Sequence, residues 1–172
     1  MKNVKLISIL PLVFFAKISC AQVTGSYITN TTMGAFHGTW QWTNGSDTLK
    51  IYLVTKKAYN PVNGGFYLDV LAGWHIYKKG NTVISSSYNY IDDPGKRTLS
   101  LGNGGNPTNQ VDGWIKDIPK NKSGDLKLTL NAAQNELTWK LENSEGVRVR
   151  TGNEPPYDWT FSFPEHLILR KL

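Results

Sequence analysis

The sequence predicts an all-β domain, an antiparallel β-barrel of about eight to ten strands. Three observations carry that reading. Apolar and polar residues alternate with a period of two through successive runs, as a strand with one buried face requires. Short clusters of Asn, Asp, Gly and Pro join the runs and suit tight turns. Six Trp, eight Tyr and six Phe stand beside only two Met, a bias toward pleated, half-buried surfaces. No long stretch repeats its apolar residues every three to four positions, so little helix is expected. A closed barrel fits long strands with few edge-blunting devices, and a β-sandwich is the alternative, since the same alternation serves both.

The chain opens with Lys2 and Lys5, an apolar run from Leu6 to Ala16, and small residues at Ser19 and Ala21. That order predicts an export signal over residues 1–21, cleaved between Ala21 and Gln22. The run is shorter than the roughly twenty apolar residues a membrane-spanning helix needs. The alternative is lipidation of Cys20, which would anchor the protein to a membrane; Lys17 stands where a lipidation signal has an aliphatic residue. On either route the protein is exported, to the periplasm or beyond the cell. Losing Lys2, Lys5 and Lys17 leaves 16 of the 19 basic residues against 13 acidic ones, a net charge of +3. So small an excess does not suit a nucleic-acid surface. Cys20 is the only cysteine, so the exported part has neither a disulfide nor thiolate chemistry.

Residues 22–35 are rich in Thr, Ser, Asn and Gly and read as a flexible or edge-lying lead-in to one domain spanning 36–172. Trp40 and Trp42 share a face, Asn44-Gly45-Ser46-Asp47 supplies a turn, and Leu49, Ile51 and Leu53 answer across it. After Asn60 to Gly65, a long strand sets Phe66, Leu68, Val70, Ala72, Trp74 and Ile76 against Tyr67, Asp69, Leu71, Gly73, His75 and Tyr77. The first set is expected to face the core. Thr82 to Ile91 returns with Ile84, Tyr88 and Tyr90 on one face, and a short strand covers Thr98 to Leu101 between two loops. Val111 to Ile118 carries Trp114, expected in the core. Leu126, Leu128 and Leu130, then Leu137, Trp139 and Leu141, form the cleanest hairpin. Val147 to Arg150 keeps the two-beat pattern. Trp159, Phe161 and Phe163 share a face before Pro164, and His166 to Leu172 is the last strand.

Gly38-Thr39-Trp40, with a basic residue in the last strand at Arg170 or Lys171, resembles the lipocalin and calycin superfamily. The resemblance implies a lipocalin-like β-barrel in which Trp40 plugs one end and Arg170 packs over its ring. A second resemblance covers most of the chain. Gly38-Thr39-Trp40, Asn44 to Thr48, Gly124-Asp125-Leu126, Leu137-Thr138-Trp139, Glu145 to Arg148 and Phe161 to Leu169 are similar to an uncharacterised family of small exported proteins of flavobacteria and their relatives, a domain of unknown function. It implies a bacterial exported protein and brings no activity with it.

His37, His75 and His166 sit on separate strands, so a metal or catalytic site would need them to converge in space with Asp69, and no spacing suggests it. Asp92-Asp93-Pro94-Gly95 lacks the alternating ligands of a calcium loop and reads as a turn. Gly102 to Pro107 has the glycines of a phosphate cradle without the helix start behind it. Ser85, Ser86 and Ser87 have no nucleophile elbow. Asn30, Asn44 and Asn121 open glycosylation triplets that in a bacterium are polar turns. No cofactor or metal is expected. The remaining lead is aromatic. Tyr52, Tyr67, Tyr77 and Tyr90 are placed to face outward or to line a cavity and are the candidate ligand residues. Two binding readings follow. In the first, an internal cavity holds a small apolar ligand or the domain meets a cell-envelope partner; in the second, a solid barrel displays aromatics to a glycan or protein. An enzyme, such as a hydrolase, would need His75, Asp69 or His37 to meet in a cleft.

Overall fold

A ring of eight strands closes on itself in the computed structural model, which describes residues 25–144, 152 and 157–172. The leader with Cys20, Ala21 and Gln22, and the Val147 to Arg150 repeat, lie outside the described residues. The strands are β1 (Tyr27–Ile28), β2 (Gly38–Asn44), β3 (Asp47–Asn60), β4 (Phe66–Lys79), β5 (Thr82–Ser86), β6 (Leu99–Gly102), β7 (Gln110–Asp117), β8 (Lys122–Leu130), β9 (Glu136–Asn143) and β10 (His166–Lys171). Every neighbour in the ring β2-β3-β4-β6-β7-β8-β9-β10 pairs antiparallel, and β10 returns to β2. β1 and β5 are attached to β4 outside the ring. The barrel reading holds and the sandwich does not.

Local chemistry sets the ring. Gly45, at φ +59°, makes the two-residue turn between the paired Asn44 and Asp47. Leu49, Ile51 and Leu53 of β3 face Tyr77, His75 and Gly73 of β4 inside the barrel. That register corrects the phase expected of β4: Leu71, Gly73, His75 and Tyr77 point inward, and Trp74 lies on the outer face against Tyr52, ring centroids 6.2 Å apart. β4 is apolar on both faces, with Ala72 and Trp74 buried on the outer one, so alternation alone could not assign its sides. Trp114 is likewise corrected. It pairs with Ser100 and Asp125 on the outer wall and is 37% exposed. β3 and β4 also run on past the ring. β2 stops at the Gly38–Leu53 pair and the β4–β6 pairing at Leu71, and residues 56–60 of β3 continue with 66–70 of β4 as a hairpin extension that overhangs one end of the barrel.

Both ends are plugged. At the overhung end a 3-10 turn, Thr31–Phe36, drives Met33 and Phe36 into the core, with Asn30 capping it through the Thr32 N–H at 3.1 Å. The reading of this stretch as a lead-in missed that turn; Tyr27–Ile28 does lie at an edge, parallel to β4. Trp40 donates its indole N–H to the Phe36 carbonyl at 2.8 Å, and Lys171, not Arg170, lies over its ring at 5.1 Å. The register decides between them: Lys171 pairs with Trp40, whereas Arg170 turns outward to Glu136. At the other end the segment 157–165 crosses the opening. It is not a strand, and Trp159 is solvent-exposed rather than sharing a buried face with Phe163. Phe161 sits where a side chain on Gly124 would be, 2.4 Å from an added Cβ, and Phe163 packs inside against His75 and Tyr77. The outer wall carries Asp112, Lys116, Lys127, Lys140, Glu142 and Arg170 around a Leu-rich interior. That is the reverse of a barrel whose wall faces lipid.

Candidate functional site

Among the described residues the barrel interior is packed. Trp40, Leu49, Ile51, Leu53, Leu99, Ile115 and Trp139 have no surface that a water molecule could touch, and a ligand-sized void would leave its walls such surface. The described inward-facing residues thus form a packed core. Clefts on the outside include one of about 480 Å³ beside the 3-10 turn, lined by Thr31, Ala35, Asn109 and Leu130, one of about 470 Å³ over Trp42, Ile168 and Arg170, and one of about 360 Å³ over Lys50, Ile76, Lys78 and Tyr88.

The aromatic surface lies on the hairpin extension. Three strands bring it together: Tyr59 pairs with Tyr67 across β3 and β4, and Tyr27 of β1 pairs with Tyr67 from the other side. Paired residues share a face, so the three rings stand in a row over the barrel end. They are 46%, 59% and 36% exposed at Tyr27, Tyr59 and Tyr67. Tyr59 and Tyr67 are tilted ring to ring with centroids 5.4 Å apart. Lys57 reaches over Tyr67 at 4.2 Å and over Tyr27 at 4.7 Å. Asp69 anchors the row from beneath, accepting the Tyr27 hydroxyl at 2.5 Å and the Asn30 N–H at 2.8 Å. The hydrogen bond to Asp69 pushes the Tyr27 phenol pKa up, with desolvation and the carboxylate charge adding to it. Gly65 suits this place on two counts, its φ of +83° and the 2.1 Å that would separate an added Cβ from the Tyr59 hydroxyl, and its carbonyl accepts the Gly25 N–H that starts β1.

Of the four candidate tyrosines only Tyr67 belongs to this row. Tyr52 is half-buried on the outer wall against Trp74. Tyr77 is in the core at 2% exposure, so neither outward-facing nor cavity-lining describes it. Tyr90 lies on a 3-10 turn, Tyr88–Tyr90, rather than a strand, under the Lys96 ammonium at 4.3 Å. Tyr27 and Tyr59 were missed because their convergence is tertiary; the available signal was Gly64-Gly65 beside Tyr59, a place where backbone and ring approach closely.

The other constellations resolve as structure. The Thr55 N–H donates to His37 Nε2 at 2.8 Å, and the Thr55 hydroxyl bonds the same nitrogen. Burial, then the Lys171 charge, lowers the His37 pKa. His166 is exposed on β10 opposite Lys140. His75 is fully buried between Thr98 at Nδ1 and Ser85 at Nε2, both at 2.7 Å, while Ser87 bonds Thr98 and receives the His75 N–H. Burial holds its pKa down to about 4, against the opposing charge of Asp117. This is a His–Ser contact that the sequence did not reveal, but its groups are sealed inside the barrel, beyond reach of a substrate. Asp69, His37 and His75 each bond different partners, and no group of three metal-ligating side chains assembles among the described residues. Asp93 caps its own turn through the Gly95 N–H at 2.9 Å, and Asn103 ties the Gly102 to Pro107 loop to the Pro107 and Gln110 carbonyls.

A protein-family model, described as a family of unknown function (DUF6705), matches residues 1–172. No curated protein and no solved structure matches the chain.

Proposed function

We propose that this chain, which belongs to the DUF6705 family of unknown function, is an exported, non-enzymatic recognition module that binds a cell-envelope glycan on its tyrosine row. One observation carries the reading: Tyr27, Tyr59 and Tyr67 stay exposed on one face over a barrel whose described interior is packed. Exposing three large rings side by side on a monomer's surface marks a contact site. The faces of such rings are electron-rich, and the axial C–H bonds of a pyranose carry the complementary partial charge. Export follows from the order of charge, apolar run and small residues at the start of the chain. The Trp40–Lys171 closure supports an architectural kinship with lipocalins and calycins without implying their internal ligand chamber.

The test is binding of the protein to a panel of bacterial surface polysaccharides, repeated with the double variant Tyr59→Ala/Tyr67→Ala. Loss of two stacking contacts, each about 0.5–1.5 kcal/mol, weakens binding at least about fivefold while leaving the melting curve in place. Unchanged binding in that variant removes the row as the site.

A further inference from the structure

We propose that the row selects acidic sugars, with Lys57 receiving the carboxylate of a uronate whose ring rests on Tyr59 and Tyr67. This deepens the glycan reading above and rests on it. The argument begins with a pair that the register offers and the structure declines. Lys57 and Asp69 face each other directly across β3 and β4, the arrangement in which opposite charges ordinarily bond. Asp69 instead turns both carboxylate oxygens inward, one to the Tyr27 hydroxyl and one to the Asn30 N–H, and is only 8% exposed. Its acceptors are committed to building the row.

The Lys57 ammonium is left on the solvent side, held above the rings of Tyr27 and Tyr67. Such contacts fix the position of a cation without neutralising it. The ion pairs among the described residues lie elsewhere, at Lys120–Asp158, Lys140–Glu142 and Arg170–Glu136. The row thus presents a positioned cation, with no carboxylate bonded to it, beside two exposed phenol rings. A pyranose ring that offers a face of C–H bonds and bears one carboxylate satisfies both features at once. A neutral sugar uses the rings alone, and an acidic peptide uses the charge without the stacking surface.

The test is titration calorimetry at low and at high salt with the protein expressed from its full coding sequence. The probes are a galacturonate hexamer, a galactose hexamer of the same linkage and a hexaglutamate peptide, against wild type, Lys57→Gln and Tyr59→Ala. Lys57 is exposed, so Lys57→Gln leaves the fold intact, and circular dichroism checks it. The expected result is preference for the galacturonate, reduced roughly three- to tenfold in Lys57→Gln and by added salt, with Tyr59→Ala weakening both sugars. Equal binding of both sugars, unmoved by Lys57→Gln, overturns the charge selection and leaves the tyrosine row as a glycan site. Hexaglutamate bound as tightly as the galacturonate overturns the sugar class. If no probe binds and the wider polysaccharide panel also gives nothing, the tyrosine-row reading falls and this inference falls with it.

Discussion

Acid should loosen this barrel through His75, and the size of the effect follows from its burial. An unfolded chain protonates histidine near 6.5, whereas the folded barrel holds His75 down to about 4 because the charged ring would have no water around it. Between those values the unfolded state binds more protons than the folded one, so stability is complete above 6.5 and drains as pH falls toward 4. The full separation is worth about 3 kcal/mol, and about 2 kcal/mol of it is lost between pH 7 and pH 5. For a domain of this size that is a fall in melting temperature of about 4–8 °C. Urea unfolding at the two pH values measures it, in wild type and in His75→Gln. The substitution removes the titrating ring, so the variant, whatever its own stability, should lose less than half as much between pH 7 and pH 5. His37, also lowered by burial, adds a loss of the same sign in both proteins. An NMR titration of the imidazole carbons provides the second reading, with His75 unprotonated at pH 5. Equal losses in the two proteins, or a His75 that titrates near 6.5, would refute the reasoning.

Three further outcomes test the packing. Gly113→Ala places a Cβ 2.1 Å from the Ser100 carbonyl oxygen, which is backbone and cannot give way, so chemical denaturation should show a loss of about 1–3 kcal/mol. Leu128→Ala empties part of a fully buried core and should cost about 2–5 kcal/mol by the same assay. Gly65→Ala forces the Tyr59 ring aside and strains a left-handed residue; glycan binding should fall several-fold in calorimetry while the melting temperature shifts by only a few degrees.

What the sequence made legible was mostly local. The turn at Asn44 to Asp47 and the Leu126–Leu141 hairpin each combine clean alternation with unambiguous turn residues, and both formed as read. The phase of β4 was not legible, because its outer face is also covered and its residues are apolar on both sides; only pairing with β3 put Tyr77 inside and Trp74 outside. The Thr31–Phe36 turn escaped because only Met33 and Phe36 mark it among polar neighbours. Ring closure, and hence Lys171 rather than Arg170 over Trp40, depends on a register between chain segments far apart in sequence. For the same reason Tyr67 was legible as a candidate whereas its partners, Tyr27 and Tyr59, were not.

The central claim, that a solid barrel binds at its tyrosine row, is tested most directly by following backbone amide NMR shifts while the galacturonate hexamer is added. The account predicts changes confined to Tyr27–Ile28, Lys57–Tyr59 and Gly65–Asp69 with the rest of the barrel unmoved. Changes centred on the inward-facing residues of β8 and β9, or on the Thr31–Asn109 cleft, would contradict it.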